Sequence, residues 1–499
     1  MNTETVDVST TAGTVRGIQR EGSAAFLGIP FAEAPVGDLR FAAPVPHAPW
    51  EGVREATAFG ATPQRKALME VTLIPEPSYP GESTLNVNVF TPAPATDAAL
   101  PVLVYIHGGG FVAGSPASPW YDGAAFNRDG VVTVSVSYRL GFDGFGWIED
   151  APHNRGVLDW LLALEWVRDN IAAFGGDPTR VTISGQSAGG AAVTTLLGMP
   201  RAQGLFSQAY SISGPMADIS LDQAEDFGRR FAQEAGVPPT RAGLSSLTDE
   251  QIIAVQERLA SVGPAAEPTP DGPLAVPIAG LRALVGEGLT LAPVVDGELI
   301  PGPALDSLRA GIGHDKGFIL GATDDEFSMM LAGARDSLEH VPPEAILDQL
   351  GLIGDGLNAY LAANEANRHT ADVVGRFVTD KMFRSAALLI AEARGDAATW
   401  LYRFSWQSPV FGAAVHCLDM PFIFDCLALD RVEAIAGSEP PQVLADNVHG
   451  DVVAFIRDGD PGWPRFDRST ETAKIFDAPS HVEQHAYDAV KALLPIPVA

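Results

Sequence analysis

A serine flanked by glycines is the residue pattern with the clearest chemical meaning. Gly185-Gln186-Ser187-Ala188-Gly189 matches Gly-x-Ser-x-Gly and directly follows a short apolar run at residues 181–184. A helical pattern begins after Ser187. This strand–turn–helix setting is the one that a nucleophile elbow requires, because the sharp turn exposes the serine hydroxyl and tolerates only small neighbours. The sequence therefore predicts that Ser187 is the nucleophile of an acyl-transfer reaction.

A run of glycines supplies a second signal. His107-Gly108-Gly109-Gly110-Phe111 follows a β-type run at residues 101–106. Acyl transfer builds negative charge on a carbonyl oxygen, and backbone N–H groups about 3 Å away stabilise that charge. Consecutive glycines permit the dihedral angles and the close approach that such an oxyanion hole needs. Both motifs follow strands, so we expect both at the C-terminal edge of a parallel sheet, where ligands bind.

The serine needs a histidine as its base, and this histidine follows the serine in the chain. His416 lies in a loop of small residues after a predicted strand at residues 399–404, where a side chain can bend over the edge of the sheet. His449 lies in a helical pattern, and His481 and His485 are expected on a terminal helix. His416 is therefore the predicted base.

The histidine in turn needs a carboxylate that fixes its tautomer. Three acids, Asp324, Asp325 and Glu326, follow a predicted strand at residues 317–320. This position between the serine and the histidine suits the acid of a triad. Residue types and spacing alone do not choose among the three.

The elements that carry these residues alternate between short apolar runs and helical periodicity, with a helix expected at residues 156–174. Strands separated by helices of this length favour right-handed crossovers and a large, mostly parallel central sheet flanked by helices. Short alternating segments in residues 1–60 predict an antiparallel N-terminal extension. Residues 221–282 and 341–376 are predicted to be helical excursions over the active site. A single α/β domain spanning residues 1–499 is expected.

Charge and composition exclude several classes of protein. The chain has 62 acidic and 32 basic residues and a net charge of −30, which repels nucleic-acid backbones and anionic membranes. We expect no nucleic-acid partner and no membrane partner. The two cysteines, Cys417 and Cys426, form no disulfide framework or metal cluster pattern, and the N-terminus carries no secretory signal. A cytoplasmic protein without metal or cofactor is expected.

Taken together, these motifs resemble the type B carboxylesterases, which include cholinesterases and bacterial p-nitrobenzyl esterases. The resemblance covers nearly the whole chain and implies the α/β-hydrolase fold. The segments that carry it, besides the serine and glycine motifs, are Phe26-Leu27-Gly28-Ile29-Pro30-Phe31-Ala32, Leu39-Arg40-Phe41, Asn170-Ile171-Ala172-Ala173-Phe174-Gly175-Gly176-Asp177-Pro178, Pro293-Val294-Val295-Asp296-Gly297, Asp325-Glu326, and His416 followed by Asp419-Met420-Pro421-Phe422-Ile423-Phe424.

The resemblance implies roles for individual residues. The triad would be Ser187, Glu326 and His416. The oxyanion donors would be the N–H groups of Gly109, Gly110 and Ala188. The hydroxyl of Ser213 would support the acid. Met329 and Met330 fall where the family usually places residues of the substrate pocket, and an apolar pocket is suggested by Phe111, Phe327, Met329 and Met330.

The chain departs from the family pattern at several positions, and two of them adjoin residues of the expected triad. Gln186 stands where the family usually has Glu, which removes a negative charge beside the nucleophile and weakens any case for cholinesterase-like binding of cations. Phe327 follows the acid where the family usually has Gly. Neither departure touches the triad.

The resulting expectation is a serine carboxylesterase that hydrolyses small or medium, mainly apolar esters through an acyl-serine, as a monomer or homodimer. An amidase, carbamate hydrolase or lactonase with the same triad is the alternative within enzymes. A non-catalytic binding protein similar to the neuroligins is the alternative from another class. Because this chain retains Ser187, Glu326 and His416, the enzymatic interpretation is favoured.

Overall fold

A 13-stranded sheet organises the described part of the chain. The computed structural model describes residues 4–67, 72–94, 98–261, 280–282, 285–286, 288–364 and 369–494. The strands are β1 (Thr5–Ser9), β2 (Thr14–Arg20), β3 (Ser23–Pro30), β4 (Val53–Glu55), β5 (Asn86–Thr91), β6 (Leu100–Ile106), β7 (Val132–Val136), β8 (Gly176–Gln186), β9 (Gln208–Ile212), β10 (Ile219–Ser220), β11 (Val294–Val295), β12 (Gly317–Thr323), β13 (Thr399–Phe404), β14 (Ala473–Phe476) and β15 (His481–Glu483).

The order of the strands explains how the motifs meet. The sheet runs β1-β2-β3-β5-β7-β6-β8-β9-β12-β13-β14-β15, with β4 beside β2, while β10 and β11 pair separately. The described strands from β7 to β14 in this order are parallel neighbours, whereas β1, β2, β3 and β5 pair in antiparallel fashion. The predicted parallel sheet and its antiparallel N-terminal extension are confirmed.

Helices cover the sheet, and their bounds follow the predicted periodicity in most places. The described α-helices are Ala124–Arg128, Gly141–Phe145, Arg155–Asn170, Ala188–Leu197, Leu221–Ala235, Arg241–Leu244, Asp249–Ser261, Ala304–Arg309, Arg335–Leu338, Pro343–Gln349, Gly354–Ala363, Thr370–Thr379, Ser385–Ala393, Met420–Ile423, Glu433–Ala436 and Gln442–Asp458. Among them, none combines the length and the hydropathy that a membrane span requires.

The strand β6 shows why the sequence of a central strand is a continuous run of apolar residues. Val102, Val104 and Ile106 belong to one buried cluster, and the alternate residues Leu103 and Tyr105 belong to another. Side chains alternate between the two faces of a strand, so both faces of β6 are covered. A strand buried on both sides is held firmly, and its C-terminal end is a rigid support for the glycine loop that follows.

The structure differs from the sequence-based expectation in two places. The strand β8 spans Gly176–Gln186 instead of residues 181–184, because its pairing with β6 shifts register and accommodates the intervening residues as a bulge. His481 begins β15 and His485 lies in a turn, so the predicted terminal helix is wrong at these positions. Part of the predicted helical stretch 221–282 lies outside the described residues, and the single domain of 1–499 stays a prediction.

Candidate active site

The turn around Ser187 has the strained geometry of a nucleophile elbow. Ser187 lies between β8 and the helix Ala188–Leu197 with φ 58° and ψ −123°, a conformation that non-glycine residues rarely adopt. A Cβ atom on Gly189 would lie 2.1 Å from the Ile106 carbonyl oxygen, and one on Gly185 would lie 2.4 Å from the Gly189 oxygen. Only glycine fits at either position, which explains the spacing of the motif. The Ser187 N–H donates to the Ile212 oxygen at 2.8 Å.

The glycine loop after β6 lies against this elbow. Gly109 and Gly110 have φ angles of 110° and 60°, and a Cβ atom on Gly108 would lie 3.1 Å from the Ser187 Cβ. Among the residues that the structure describes, the N–H groups of Gly109, Gly110 and Ala188 meet no hydrogen-bond acceptor. Three unpaired N–H groups beside a serine can donate hydrogen bonds to an oxyanion.

His107 holds this loop in shape. Its Nδ1 lies 2.8 Å from the Gly108 oxygen, and its buried ring stacks on Tyr138 at a centroid distance of 4.5 Å. Burial lowers the pKa of His107 to about 4, so the ring is neutral and its Nδ1–H is the donor. In a planar trans peptide the carbonyl and the next N–H point in opposite directions. The contact with Gly108 therefore sets the direction of the Gly109 N–H.

Of the three acids that follow β12, Glu326 is the one whose carboxylate contacts His416. Its Oε2 is in hydrogen-bonding contact with Nδ1 of His416, and its Oε1 accepts from the Thr323 N–H at 2.9 Å. The His416 N–H donates to the Glu326 backbone oxygen at 2.8 Å. The Glu326 side chain is fully buried. The acid loop and the histidine loop are thus joined through both backbone and side chain.

The other two acids have partners of their own. Asp324 accepts two hydrogen bonds from Arg403, at 2.8 and 2.6 Å. Asp325 accepts from Arg376 at 3.0 Å and from the Ala414 N–H at 3.2 Å, and its own N–H donates to the Ala414 oxygen at 2.9 Å. These contacts brace the loop that carries Glu326 against the loop that carries the histidine. Sequence spacing had left this division of roles undecided.

Charged groups around the site shift several pKa values. Burial disfavours the imidazolium of His416, but Cys417 and Glu326 outweigh it and raise the pKa of His416 well above its usual value. Burial and the nearby Glu326 carboxylate raise the pKa of Asp419 to about 7. Burial also opposes the ionisation of Asp324, yet Arg403 and further arginines hold the pKa of Asp324 well below its usual range. Glu326 therefore favours a positive charge on the imidazole of His416.

Gln186 occupies the face of the base that a nucleophile needs. Its amide Nε2 lies 3.1 Å from Nε2 of His416, and both side chains are buried. In the described structure no hydrogen bond joins the Ser187 hydroxyl to His416. Sequence reasoning did not foresee this contact, although the replacement of the family's usual Glu by Gln was the signal that pointed to it.

No contact in the described structure supports the prediction that the Ser213 hydroxyl binds the acid. Ser213 is fully buried at φ 47°, and its backbone N–H donates to the Gly321 oxygen at 2.8 Å. Its hydroxyl has no hydrogen-bond partner among the described residues. The residue therefore follows the end of β9, and its side chain does not bind Glu326.

The predicted pocket residues are divided among different environments. Phe111 is fully buried, with its ring 4.9 Å from that of Phe145, so it is a core residue and the prediction that it lines the pocket is not supported. The ring of Phe327 lies 4.8 Å from the imidazole of His416. Met329 packs against a core cluster, whereas Met330 is 43% exposed and lines a cavity.

This cavity has a volume of about 970 Å³ and reaches the glycine loop at Gly110 and Val112. Phe227 and Ile252, on two of the helices predicted to be excursions, line it together with Met330. Ser187 and His416 are not part of its described lining. The cavity is therefore a large, partly apolar space beside the candidate oxyanion hole.

Known esterases are similar to this chain in sequence and in fold. The chain is 31% identical over 495 residues to the para-nitrobenzyl esterase of Bacillus subtilis (strain 168), covering 95% of this chain and 96% of that relative. It is 32% identical over 528 residues to the phenmedipham hydrolase of Pseudarthrobacter oxydans, covering 95% and 97%. The crystal structure of a Geobacillus stearothermophilus carboxylesterase superposes with a TM-score of 0.82 at 32% identity, covering 97% of this chain and 99% of that one.

The match extends over almost the whole chain. The model of the carboxylesterase family matches residues 3–490, and the solved relative shares the α/β-hydrolase fold that the sheet order describes. This similarity favours ester hydrolysis over a non-catalytic binding role. The chain belongs to the carboxylesterase family and is a serine hydrolase of carboxylic esters.

Proposed function

We propose that this carboxylesterase hydrolyses small or medium, mainly apolar esters with a triad of Ser187, Glu326 and His416. The observation that carries the proposal is the contact between Glu326 and the Nδ1 of His416, formed beside a serine in a strained elbow. Asp324 and Asp325 are held by arginines, which leaves Glu326 as the carboxylate that orients the imidazole.

In the proposed reaction, Nε2 of His416 accepts the proton of Ser187 while Oγ attacks the ester carbonyl. The N–H groups of Gly109, Gly110 and Ala188 bind the oxyanion that forms. The alcohol departs with the proton held by His416, and water then hydrolyses the acyl-serine by the same steps. Glu326 remains ionised and stabilises the imidazolium. No step requires a metal or an organic cofactor.

The cavity beside Gly110 supports the proposed substrate class. Its volume of about 970 Å³ lies at the upper end of ordinary ligand pockets, and its lining includes Phe227, Ile252 and Met330. An ester bound with its carbonyl at the glycine loop would extend its apolar part into this space. Because Gln186 replaces an acid, nothing charged at that position selects cationic esters.

The first test is hydrolysis of p-nitrophenyl esters of graded acyl length, with and without a fluorophosphonate that labels active serines. We expect activity to fall in step with labelling of the peptide that contains Ser187, and S187A to lose both. The acyl-length profile then measures the usable depth of the cavity. An S187A variant with wild-type turnover would disprove the proposal.

A matched pair of variants tests the choice of acid. E326Q keeps the shape but removes the charge that orients His416, and loss of such a charge costs about 10⁴-fold in kcat. D325N removes the ion pair with Arg376 but leaves the imidazole contact intact. We expect D325N to retain kcat within about tenfold of the wild-type value, since an amide oxygen at position 325 can still accept from the Ala414 N–H and Glu326 keeps its contact with His416. Equal losses in both variants would contradict the assignment.

We also infer that the enzyme acts in the cytoplasm as a monomer or homodimer. Its two cysteines, Cys417 and Cys426, are both free thiols, which suits a reducing compartment. Size-exclusion chromatography with light scattering measures the oligomeric state directly, and a larger assembly would contradict this inference.

A further inference from the structure

The amide of Gln186 is wedged between the candidate oxyanion loop and the base. Gln186 ends β8 and is 2% exposed. Its Oε1 would lie 2.9 Å from a Cβ atom on Gly108, and its Nε2 lies 3.1 Å from Nε2 of His416. A side chain packed this closely on both sides has a defined position and acts directly on the imidazole.

The direction of this hydrogen bond follows from the partners on the ring. Nδ1 of His416 faces the carboxylate of Glu326 and therefore carries a hydrogen. The amide nitrogen of Gln186 can only donate, so Nε2 of the ring must accept and must be unprotonated. Protonation of Nε2 would place hydrogen atoms of the amide and the ring against each other. The contact therefore stabilises the neutral imidazole relative to the imidazolium.

The groups around His416 act in the opposite direction. Glu326 lies at its Nδ1, while Cys417 and Asp419 lie on its own loop, and both acids favour a positive charge on the ring. The imidazole of His416 also contacts the aromatic rings of Phe327 and Phe383, which carry no charge. An imidazolium cannot accept the serine proton, so a base in this setting needs a group that opposes protonation.

We propose that Gln186 is a positioning residue that holds His416 as the neutral tautomer with an unprotonated Nε2, ready to accept the proton of Ser187. This role rests on the proposed triad. Nε2 has a single lone pair, so the amide hydrogen bond must break before Nε2 accepts the proton of Ser187. A carboxylate at position 186 could only accept a hydrogen bond and would favour the imidazolium instead.

Two substitutions separate this role from packing. Q186M has similar length but no donor, and Q186E has nearly the same shape but adds a negative charge. We expect the apparent pKa on the acidic limb of the kcat/KM profile to rise by about one unit in Q186M. It should rise by about one to three units in Q186E, because an opposite charge lies beside the ring. The deficit of each variant in kcat/KM relative to the wild type should shrink as the pH rises.

The outcomes are distinguishable. A structural role alone would lower activity equally at every pH, and unchanged or reversed pKa values in the two variants would overturn the proposal. Fluorophosphonate labelling of Ser187 at alkaline pH shows that the site is assembled, so a failure of the triad itself would appear as absent labelling in the wild type.

A titration of His416 itself tests the proposal without relying on activity. In ¹⁵N-histidine-labelled protein, the ring signals of His416 are assigned by their loss in H416Q. We expect the Nε2 resonance to titrate at a lower pH in the wild type than in Q186M, because the amide donor favours the unprotonated nitrogen. An equal or higher pKa of His416 in the wild type would overturn the proposal.

Discussion

Gly114→Ala provides a test of how tightly the candidate oxyanion loop is built. Gly114 has a φ of +97°, and an added Cβ atom would lie 2.2 Å from the Gly108 oxygen and 2.4 Å from Nδ1 of His107. Ordinary contact distances are about 3.5 Å, so the loop must move by about 1 Å. The substitution therefore disrupts the hydrogen bond between His107 and the Gly108 oxygen, which orients the Gly109 N–H.

The expected loss follows from that displacement. A shift of about 1 Å in a catalytic group costs about 10²-fold, similar to removing one oxyanion donor. Gly130→Ala is the matched control, since Gly130 also has a positive φ, +77°, but an added Cβ atom meets nothing within 4 Å. Both variants should lose about 1–2 kcal/mol of unfolding free energy from backbone strain. Only Gly114→Ala should lose about 10²-fold in kcat.

The assay compares kcat and KM for a p-nitrophenyl ester with the free energy of unfolding in urea. Inhibition by a trifluoromethyl ketone adds a direct measure, because its adduct with the serine carries an oxyanion. In Gly114→Ala the affinity for this inhibitor should fall in parallel with kcat/KM. If kcat in Gly114→Ala stayed within about threefold of its value in Gly130→Ala, the reasoning about the loop would be refuted.

Two further predictions concern buried groups near the site. His107→Phe keeps the ring that stacks on Tyr138 but loses the Nδ1–H, so kcat should fall about tenfold with little change in KM. His107→Asn restores a donor and should recover part of this loss, and equal kcat values in the two variants would contradict the role. Asp419 has a pKa of about 7 in the folded protein against about 3.9 unfolded, so the stability from its bound proton is complete below about pH 4 and is lost as pH rises through 7. Asp419→Asn should therefore gain a few kcal/mol relative to wild type at pH 8 but not at pH 4, and urea unfolding that showed the same difference at both pH values would refute this.

Local sequence patterns were sufficient for the parallel sheet because each strand is buried on both faces and reads as an apolar run. The strand β6 was predicted at residues 101–106 and spans Leu100–Ile106. The bounds of β8 were missed because its first residues bulge away from β6, a feature set by the neighbouring strand. The turn that holds His485 was read as helix, since short amphipathic segments look alike in turns and helices.

In the candidate site, too, local sequence patterns predict some residues and not others. Ser187 and the loop at Gly109 were predictable, because glycines that tolerate no Cβ atom leave a direct mark on the sequence. Residue types and spacing did not identify the acid, since Asp324, Asp325 and Glu326 differ only in which partner each one meets, and it was the family resemblance that implied Glu326. Those partners, Arg403, Arg376 and His416, lie far away in the chain.

The sequence by itself predicted the family, a mostly parallel sheet with an antiparallel extension, and Ser187 as the nucleophile, because these rest on motifs and on local patterns of burial and backbone freedom. Only the tertiary structure shows that Asp324 and Asp325 pair with arginines while Glu326 contacts His416, that the Gln186 amide lies 3.1 Å from Nε2 of His416, and that Phe111 packs in the core. The physical reason is that a hydrogen bond between side chains depends on positions within fractions of an ångström, and these are set by the packing of segments distant in the chain.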